Sequence, residues 1–452
     1  MSKPCGGLRR LVLLAVASGC VSGSAAAQES VDVAYAEQLL SQLACGTCHG
    51  GIQVQSAIRE VAPDLTDAGL RLNPDYVMGF LQHPVRVRAF IGLSRMPDFR
   101  LDERESLALT LFLAEQVPRG RARPDFVLQT TPRAASRYPE VTARLGEEIF
   151  YSLNCGACHV QRTVPEWVEK SAPDLSEVGA RVTPEWLESF LLTPEAVRPF
   201  GYRPGSGSRH PDFRLTESEA KAIAGYFRPR EAVDSASSFE PQRLHPFSMN
   251  KAESLLKDKL PCLGCHSLGG EGGSIGPDLS SVRNRLRPDY VYRVVRDPQR
   301  VVPGTVMPKV EMPDETLNLI VSYLLQQQVP RDRISYPSLV DTPPYVQREP
   351  DGVEGSYVRY CAPCHGREGR GDGFNAARLP KPPTNHADSA YMSTRPDDTL
   401  FDGIYAGGYI LGRSNRMPPW GFTLEREEIR RLVRYLRQLC RCEPPAWSRN
   451  PR

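Results

Sequence analysis

Cys45-Gly-Thr-Cys48-His49, Cys155-Gly-Ala-Cys158-His159, Cys262-Leu-Gly-Cys265-His266 and Cys361-Ala-Pro-Cys364-His365 are four copies of one pattern, Cys-x-x-Cys-His. On a helix the two thiols and the imidazole fall at i, i+3 and i+4 and project from one face. That order suits covalent attachment of haem, the thiols bonding its vinyl groups as thioethers and the imidazole reaching the iron. Zinc is the other use of such residues, but a structural zinc site takes four ligands. Eight of the twelve cysteines lie in these motifs, with no second Cys pair beside any of them. Three motifs are instead followed by a Met that precedes Pro, and a thioether suits haem iron better than zinc.

The motifs recur roughly every 100 residues, which marks a tandem domain array and not a solenoid. Each stands in the same context. A helical pattern leads in, at residues 36–40, 146–150, 251–256 and 355–358. Three units continue with Ala62-Pro63-Asp64-Leu65, Ala172-Pro173-Asp174-Leu175 or Gly276-Pro277-Asp278-Leu279. A second helix then opens on Pro74, Pro184 or Pro288, where the missing N–H costs little. A ligand candidate followed by Pro and a closing amphipathic helix complete each unit. Thr216 with Glu219 reads as a capping box for the second closing helix. Apolar residues keep a helical period, without convincing strand alternation. The Pro-, Arg- and Ser-rich stretches 119–140, 228–247 and 330–352 read as semi-rigid linkers. An all-α fold is expected, with domains over 31–119, 140–230, 246–331 and 350–442.

This layout resembles the class I c-type cytochrome domain, repeated four times across nearly all of the mature chain. The resemblance implies small domains of three to five helices, each around one covalently attached haem c, four in total. It also implies that the ring N–H of each proximal His donates to a Pro carbonyl. Pro63, Pro173 and Pro277 match that position. In the fourth unit Lys381-Pro382-Pro383-Thr384 replaces Pro-Asp-Leu, and Pro383 is the expected acceptor.

Cys45, Cys48, Cys155, Cys158, Cys262, Cys265, Cys361 and Cys364 are thus the expected attachment residues, with His49, His159, His266 and His365 as proximal ligands. Sixth ligands follow in sequence order. Met96, in Arg95-Met96-Pro97-Asp98-Phe99, is preferred to Met78 and His83 for the first unit. Met307 is preferred to Met312 for the third, Met312 matching the packing position of Leu101. Met417 is preferred to Met392 and His386 for the fourth. The second unit carries Arg209-His210-Pro211-Asp212-Phe213, and no Met lies between Cys155 and Met249. His210 is therefore expected to make a bis-His centre with His159, of lower potential than the His/Met centres. The alternatives are a five-coordinate iron with His210 turned away, or a Cys-Cys-His-His zinc site, which the composition allows only for this unit.

The N-terminus reads as a secretory signal through residue 27, with Lys3, Arg9 and Arg10 ahead of an apolar run, Leu11 to Ala17, too short to span a bilayer. Ala25-Ala26-Ala27 suits ordinary cleavage. Val16-Ala17-Ser18-Gly19-Cys20 suits lipidation of Cys20 and a membrane tether. No later stretch is apolar enough to span. Both routes place the chain in an oxidising export compartment such as the periplasm. Lys and Arg number 56 against 53 Asp and Glu. Removing the leader takes away three basic groups and no acidic one, and haem propionates add negative charge, which argues against nucleic-acid binding. Cys440 and Cys442 would form a local disulfide or remain idle thiols. Arg430, Arg434, Arg437 and Arg441 form a helical stripe, read as a solvated face or as a docking edge for an acidic partner or anionic lipid. Trp420 and Tyr409 are expected to pack near Met417. Asp372 sits in a Gly-rich turn requiring positive φ.

No catalytic residue is expected. The chain reads as an exported tetrahaem cytochrome passing single electrons between redox partner proteins. The alternatives are a haem enzyme with an open iron in the second unit, or a cytochrome subunit of a larger quinol-oxidising or terminal oxidase complex.

Overall fold

A computed structural model describes residues 33–52, 54–55, 62–87, 93, 95–161, 172–198, 209–227, 239–327, 336–341 and 351–448. The proposed leader and Cys20 lie outside them. The fold is all-α. Among the described residues the only strands are Ser267–Leu268 and Glu271–Gly272, paired antiparallel in a two-stranded hairpin. Pro stands in the first turn of the helices Pro74–Gln82, Pro184–Leu192 and Pro288–Arg296. Capping boxes start two closing helices: Asp102 with Glu105 for Glu103–Ala114, and Thr216 with Glu219 for Glu217–Tyr226. The 119–140 stretch is more than a linker, because it contains the helix Thr130–Arg137. The Asp75 carboxylate accepts from the backbone N–H groups of Gln129, Thr130 and Thr131 and from the Thr131 hydroxyl, so it caps that helix from another element.

Among the described residues there are four apolar cores, but the first two are not assembled in sequence order. One core joins Leu65, Met78, Leu107 and Phe112 to Ile149 and Phe150, with Cys155 and Met96 packed against it. These residues all fall within 62–161. The other joins Leu39, Leu40 and Leu43 to Leu215, Ala220 and Ile223, with Cys45 and Phe213 alongside. Its buried residues come from 33–55 and 172–227, with Leu93 packed against them. The unit inserted into that chain break therefore runs in permuted order, closing helix before opening helix. Its two helices cross where Gly146 meets the Ala108 carbonyl so closely that any Cβ would overlap it. The expected limits 31–119 and 140–230 thus each contribute to both cores. The third and fourth cores, around Val321 and around Ile429, keep the sequence order.

Reciprocal contacts lock the crossed halves. Asp98 and Asp212 exchange backbone hydrogen bonds at 2.7 and 2.8 Å. Arg95 pairs with Glu219 at 2.5 Å and Arg209 with Glu105 at 2.9 Å, all four side chains at most 6% exposed. The Arg100 guanidinium donates to the His210 carbonyl at 2.6 Å, and Arg214 donates to the Met96 carbonyl at 2.8 Å. The segment 336–341 then straps one side only. Leu339 N–H donates to Glu105, the Pro337 carbonyl accepts from Arg209, and Arg104 holds Asp341. Both Arg100 and Arg209 lie over the Tyr336 ring.

Two outcomes are expected. Arg209→Met leaves Glu105 charged and buried, and should lower the denaturation free energy by about 3–5 kcal/mol; a denaturant titration of variant and wild type measures this. Asp75 is partly buried, which works against ionisation, but its four hydrogen bonds win and hold the carboxylate well below its usual range. A depressed carboxylate stabilises the fold above its ordinary pKa of about 4 and loses that effect as pH falls below it. Asp75→Ala should therefore cost about 1 kcal/mol near neutral pH, and melting curves of variant and wild type should converge on acidification below that range.

Candidate haem-binding sites

Each attachment motif forms a short helical turn. Cys45–Cys48 and Ala362–His365 are single α turns, and Cys155–Ala157 and Cys262–Gly264 are 3₁₀ turns. Ala44 and Asn154, just before the first two motifs, both take left-handed backbone, at φ 58° and 56°. The backbone N–H of each motif His bonds the carbonyl of the first Cys, closing the turn.

The imidazoles are then fixed through Nδ1. His266 Nδ1 lies 2.7 Å from the Pro277 carbonyl, as the third unit was expected to arrange it. In the fourth unit the acceptor is the carbonyl of Thr384, 2.9 Å from His365, and not Pro383. The first two units are crossed. His49 Nδ1 lies 2.8 Å from the Pro173 carbonyl and His159 Nδ1 3.0 Å from that of Pro63. A carbonyl accepts only, so each Nδ1 carries the proton and each Nε2 offers its lone pair, the state a metal-binding imidazole needs. Burial lowers the pKa of His159, His266 and His365, against the opposing pull of those same hydrogen bonds.

Crossing also changes which sixth-ligand candidates face which motif. The His210 ring lies 6.2 Å from that of His49, centre to centre. At this separation His49 and His210 are the residues that would hold one haem iron between them. Phe190 meets His210 edge-on at 5.0 Å. Burial first, then His49 and Arg100, push the His210 pKa down to about 4, which keeps it neutral near pH 7. Met96 packs instead with the core that contains Cys155. The sequence-order pairings of His49 with Met96 and His159 with His210 are thus replaced, in geometry, by His49 facing His210 and Met96 on the His159 side.

Met307 and Met417 stay in their own units. The Gln299 side chain donates to the Met307 carbonyl at 2.6 Å. The Met417 carbonyl accepts from Gly408 N–H at 3.0 Å, and its side chain packs with the core that holds Trp420. The rejected candidates sit elsewhere. Met78 and Met392 are core residues, Met312 packs against the third core, and His83 is exposed at a helix end. His386 stacks on His365 at 4.1 Å, too close for an iron between the rings, and its Nδ1 contacts the Tyr357 hydroxyl. Trp420 is buried as expected, whereas Tyr409 is half exposed and its hydroxyl accepts from Lys259 of the third unit. Cys440 and Cys442 are joined in a disulfide. In the Arg stripe, Arg430 and Arg434 pair with Glu427 and Arg437 with Asp397. Gly369 and Gly371 take the expected positive φ, 74° and 78°.

The residues fit haem c. Burial pushes the Cys45, Cys155 and Cys361 thiols up to about 12. Among the described residues no group of three or more His, Cys, Asp or Glu side chains converges as a metal cluster. Gly276 is pressed so closely to the His266 ring that a Cβ would overlap it.

Comparison with known families agrees. A family model described as cytochrome C oxidase, cbb3-type, subunit III matches residues 249–324 and 348–436, and a cytochrome c model matches 143–229. Neither a curated protein nor a solved structure matches the chain. The chain carries c-type cytochrome domains in which haem c is the covalently bound cofactor. It is a c-type cytochrome, working as a haem-based electron carrier or a cytochrome subunit.

Gly276→Ala should displace the His266 imidazole, at a cost of about 1–3 kcal/mol for the overpacked methyl. Ala62 and Ala172 fill the same place in the crossed pairs, where the imidazole-to-carbonyl distances are longer. The expected result is a lowered melting temperature with a shifted reduction potential at one centre, read by thermal denaturation and redox titration.

Proposed function

We propose that the chain is an exported tetrahaem cytochrome that carries single electrons between redox partner proteins. The facing of His49 and His210, with His49 held by the Pro173 carbonyl, is the observation that supports this reading best. His49 and His210 would hold the iron of the haem on Cys45 and Cys48. His159 and Met96 would hold that on Cys155 and Cys158. His266 with Met307, and His365 with Met417, would serve the remaining two. Bound haem supplies reversible one-electron chemistry. The chain supplies neutral, oriented imidazoles, thioether and imidazole sixth ligands that separate the centres in potential, and a low-dielectric enclosure. A sixth ligand at every centre disfavours an open iron for small-molecule chemistry.

The match of residues 249–324 and 348–436 to a cbb3-type oxidase subunit model favours a second setting, in which the same carrier works as a subunit of a terminal oxidase complex. Export through the N-terminal leader, with cleavage after residue 27 or lipidation at Cys20, belongs to the same proposal.

Ferric electron paramagnetic resonance tests the pairing. The full-length protein should carry four haem equivalents by mass, show one bis-His signal, and leave carbon monoxide unbound. Cys45→Ser with Cys48→Ser should abolish the bis-His signal, and Cys155→Ser with Cys158→Ser should leave it in place. The reverse pattern would restore the sequence-order pairing, and fewer than four haems would end the tetrahaem reading.

A further inference from the structure

Two buried asparagines sit where attachment motifs of neighbouring units meet. Asn375 is fully buried. Its amide N–H donates to the Gly264 carbonyl at 2.8 Å and lies 3.3 Å from Cys364 Sγ, while its oxygen accepts the Ser274 N–H at 2.8 Å. Gly264 lies inside the third motif and Cys364 inside the fourth. The amide nitrogen of one side chain therefore bridges the two motifs, while its oxygen holds Ser274, eight residues after the third motif. The backbones around it are in close contact. A Cβ on Gly264 would overlap the carbonyl of Arg416, the residue before Met417, and a Cβ on Gly273 would meet Asn375 Oδ1 and the Gly264 carbonyl. Asn415 donates to the carbonyls of Lys257 and Leu260, fastening the Met417 loop to the third unit as well.

Asn154 does the corresponding work between the first and second motifs. It immediately precedes Cys155, is buried, and its amide lies 3.4 Å from Cys48 Sγ. Asn tolerates the left-handed backbone required there. Ala44 holds the same backbone before Cys45 but has no polar side chain, so only one Asn serves each junction. Asn154 precedes its motif and Asn375 follows its own. The two arrive at an attachment sulfur from different points in the repeat, which a residue kept only for its turn conformation would not do.

We infer that Asn154 and Asn375 are positioning residues that fasten the attachment motifs in two fixed pairs, first with second and third with fourth, each by an amide donated to an attachment sulfur at the junction. The inference rests on the reading of four covalent haems. The attachment sulfur is a thioether and would not itself bind the iron, but a buried amide with its positive N–H end directed at the haem edge would favour the electron-richer, reduced state electrostatically. Each Asn therefore raises the potential of one centre, that on Cys48 for Asn154 and that on Cys364 for Asn375.

The test uses the full-length holoprotein with Asn154→Leu, Asn375→Leu and the smaller Asn375→Ala, read by haem mass, redox titration and hydrogen exchange. Asn375→Leu should keep four haems, lower the potential of one His/Met centre, leave the bis-His centre unmoved, and lose the protection of the Ser274 amide. Asn154→Leu should lower the bis-His potential and leave Ser274 protected. Asn375→Ala gives the same readout if Leu prevents folding. Potentials that stay at wild-type values, or that shift together at all four centres, would overturn the positioning role. A wild type with fewer than four haems would instead overturn the tetrahaem reading, and Ser274 exchange would still report on the clamp.

Discussion

A backbone carbonyl holding an imidazole N–H is the constraint that organises this molecule. It fixes the tautomer and aims the free Nε2 lone pair, while burial, working against that hydrogen bond, disfavours the charged form of His159, His266 and His365. His49, His159, His266 and His365 each obtain one. The carbonyl must come from a loop that can reach the ring, so where the loop comes from decides which segments share a core. In the third and fourth units the loop is local. In the first and second it belongs to the other unit, and the rest of each half follows it across.

The third unit returns its chain through the Ser267–Gly272 hairpin, with positive φ at Gly269, Gly270 and Gly272. That sharp reversal brings Pro277 back over His266. No glycine occurs at residues 52–62 or 160–172, so neither stretch carries the turn glycines of the third unit's hairpin. In the first two units the same hydrogen bonds are made by exchange of partners. The pseudo-symmetric contacts, Asp98 with Asp212 and the Arg95–Glu219 and Arg209–Glu105 pairs, follow from the exchange.

Buried ion pairs add little net stability, because desolvation offsets attraction, but breaking one is costly. Their effect here is to fix register. Arg95 and Arg209 each stand beside a ligand candidate, and each is anchored to a capping-box Glu of the opposite half. The Met96 and His210 loops are further tied by Arg214 and Arg100 to each other's backbone. The 336–341 strap reinforces only the side with Glu105, and so distinguishes two halves that are otherwise alike.

The sequence alone determined what is local. Cys-x-x-Cys-His spacing defined the attachment turns, Pro at first helical turns and Thr216 with Glu219 marked helix starts, and period 3.6 gave the all-α class. Those signals act over a few residues, where backbone geometry leaves few choices. Nothing local separates His49 with Pro63 from His49 with Pro173, since the two Pro-Asp-Leu loops are nearly identical in sequence. Only the tertiary structure decided between them, through helix crossings such as Gly146 on Ala108. It likewise placed His210 opposite His49, and put Asn375 between two motifs separated by about 100 residues of chain, because long-range contacts depend on packing that no short window records.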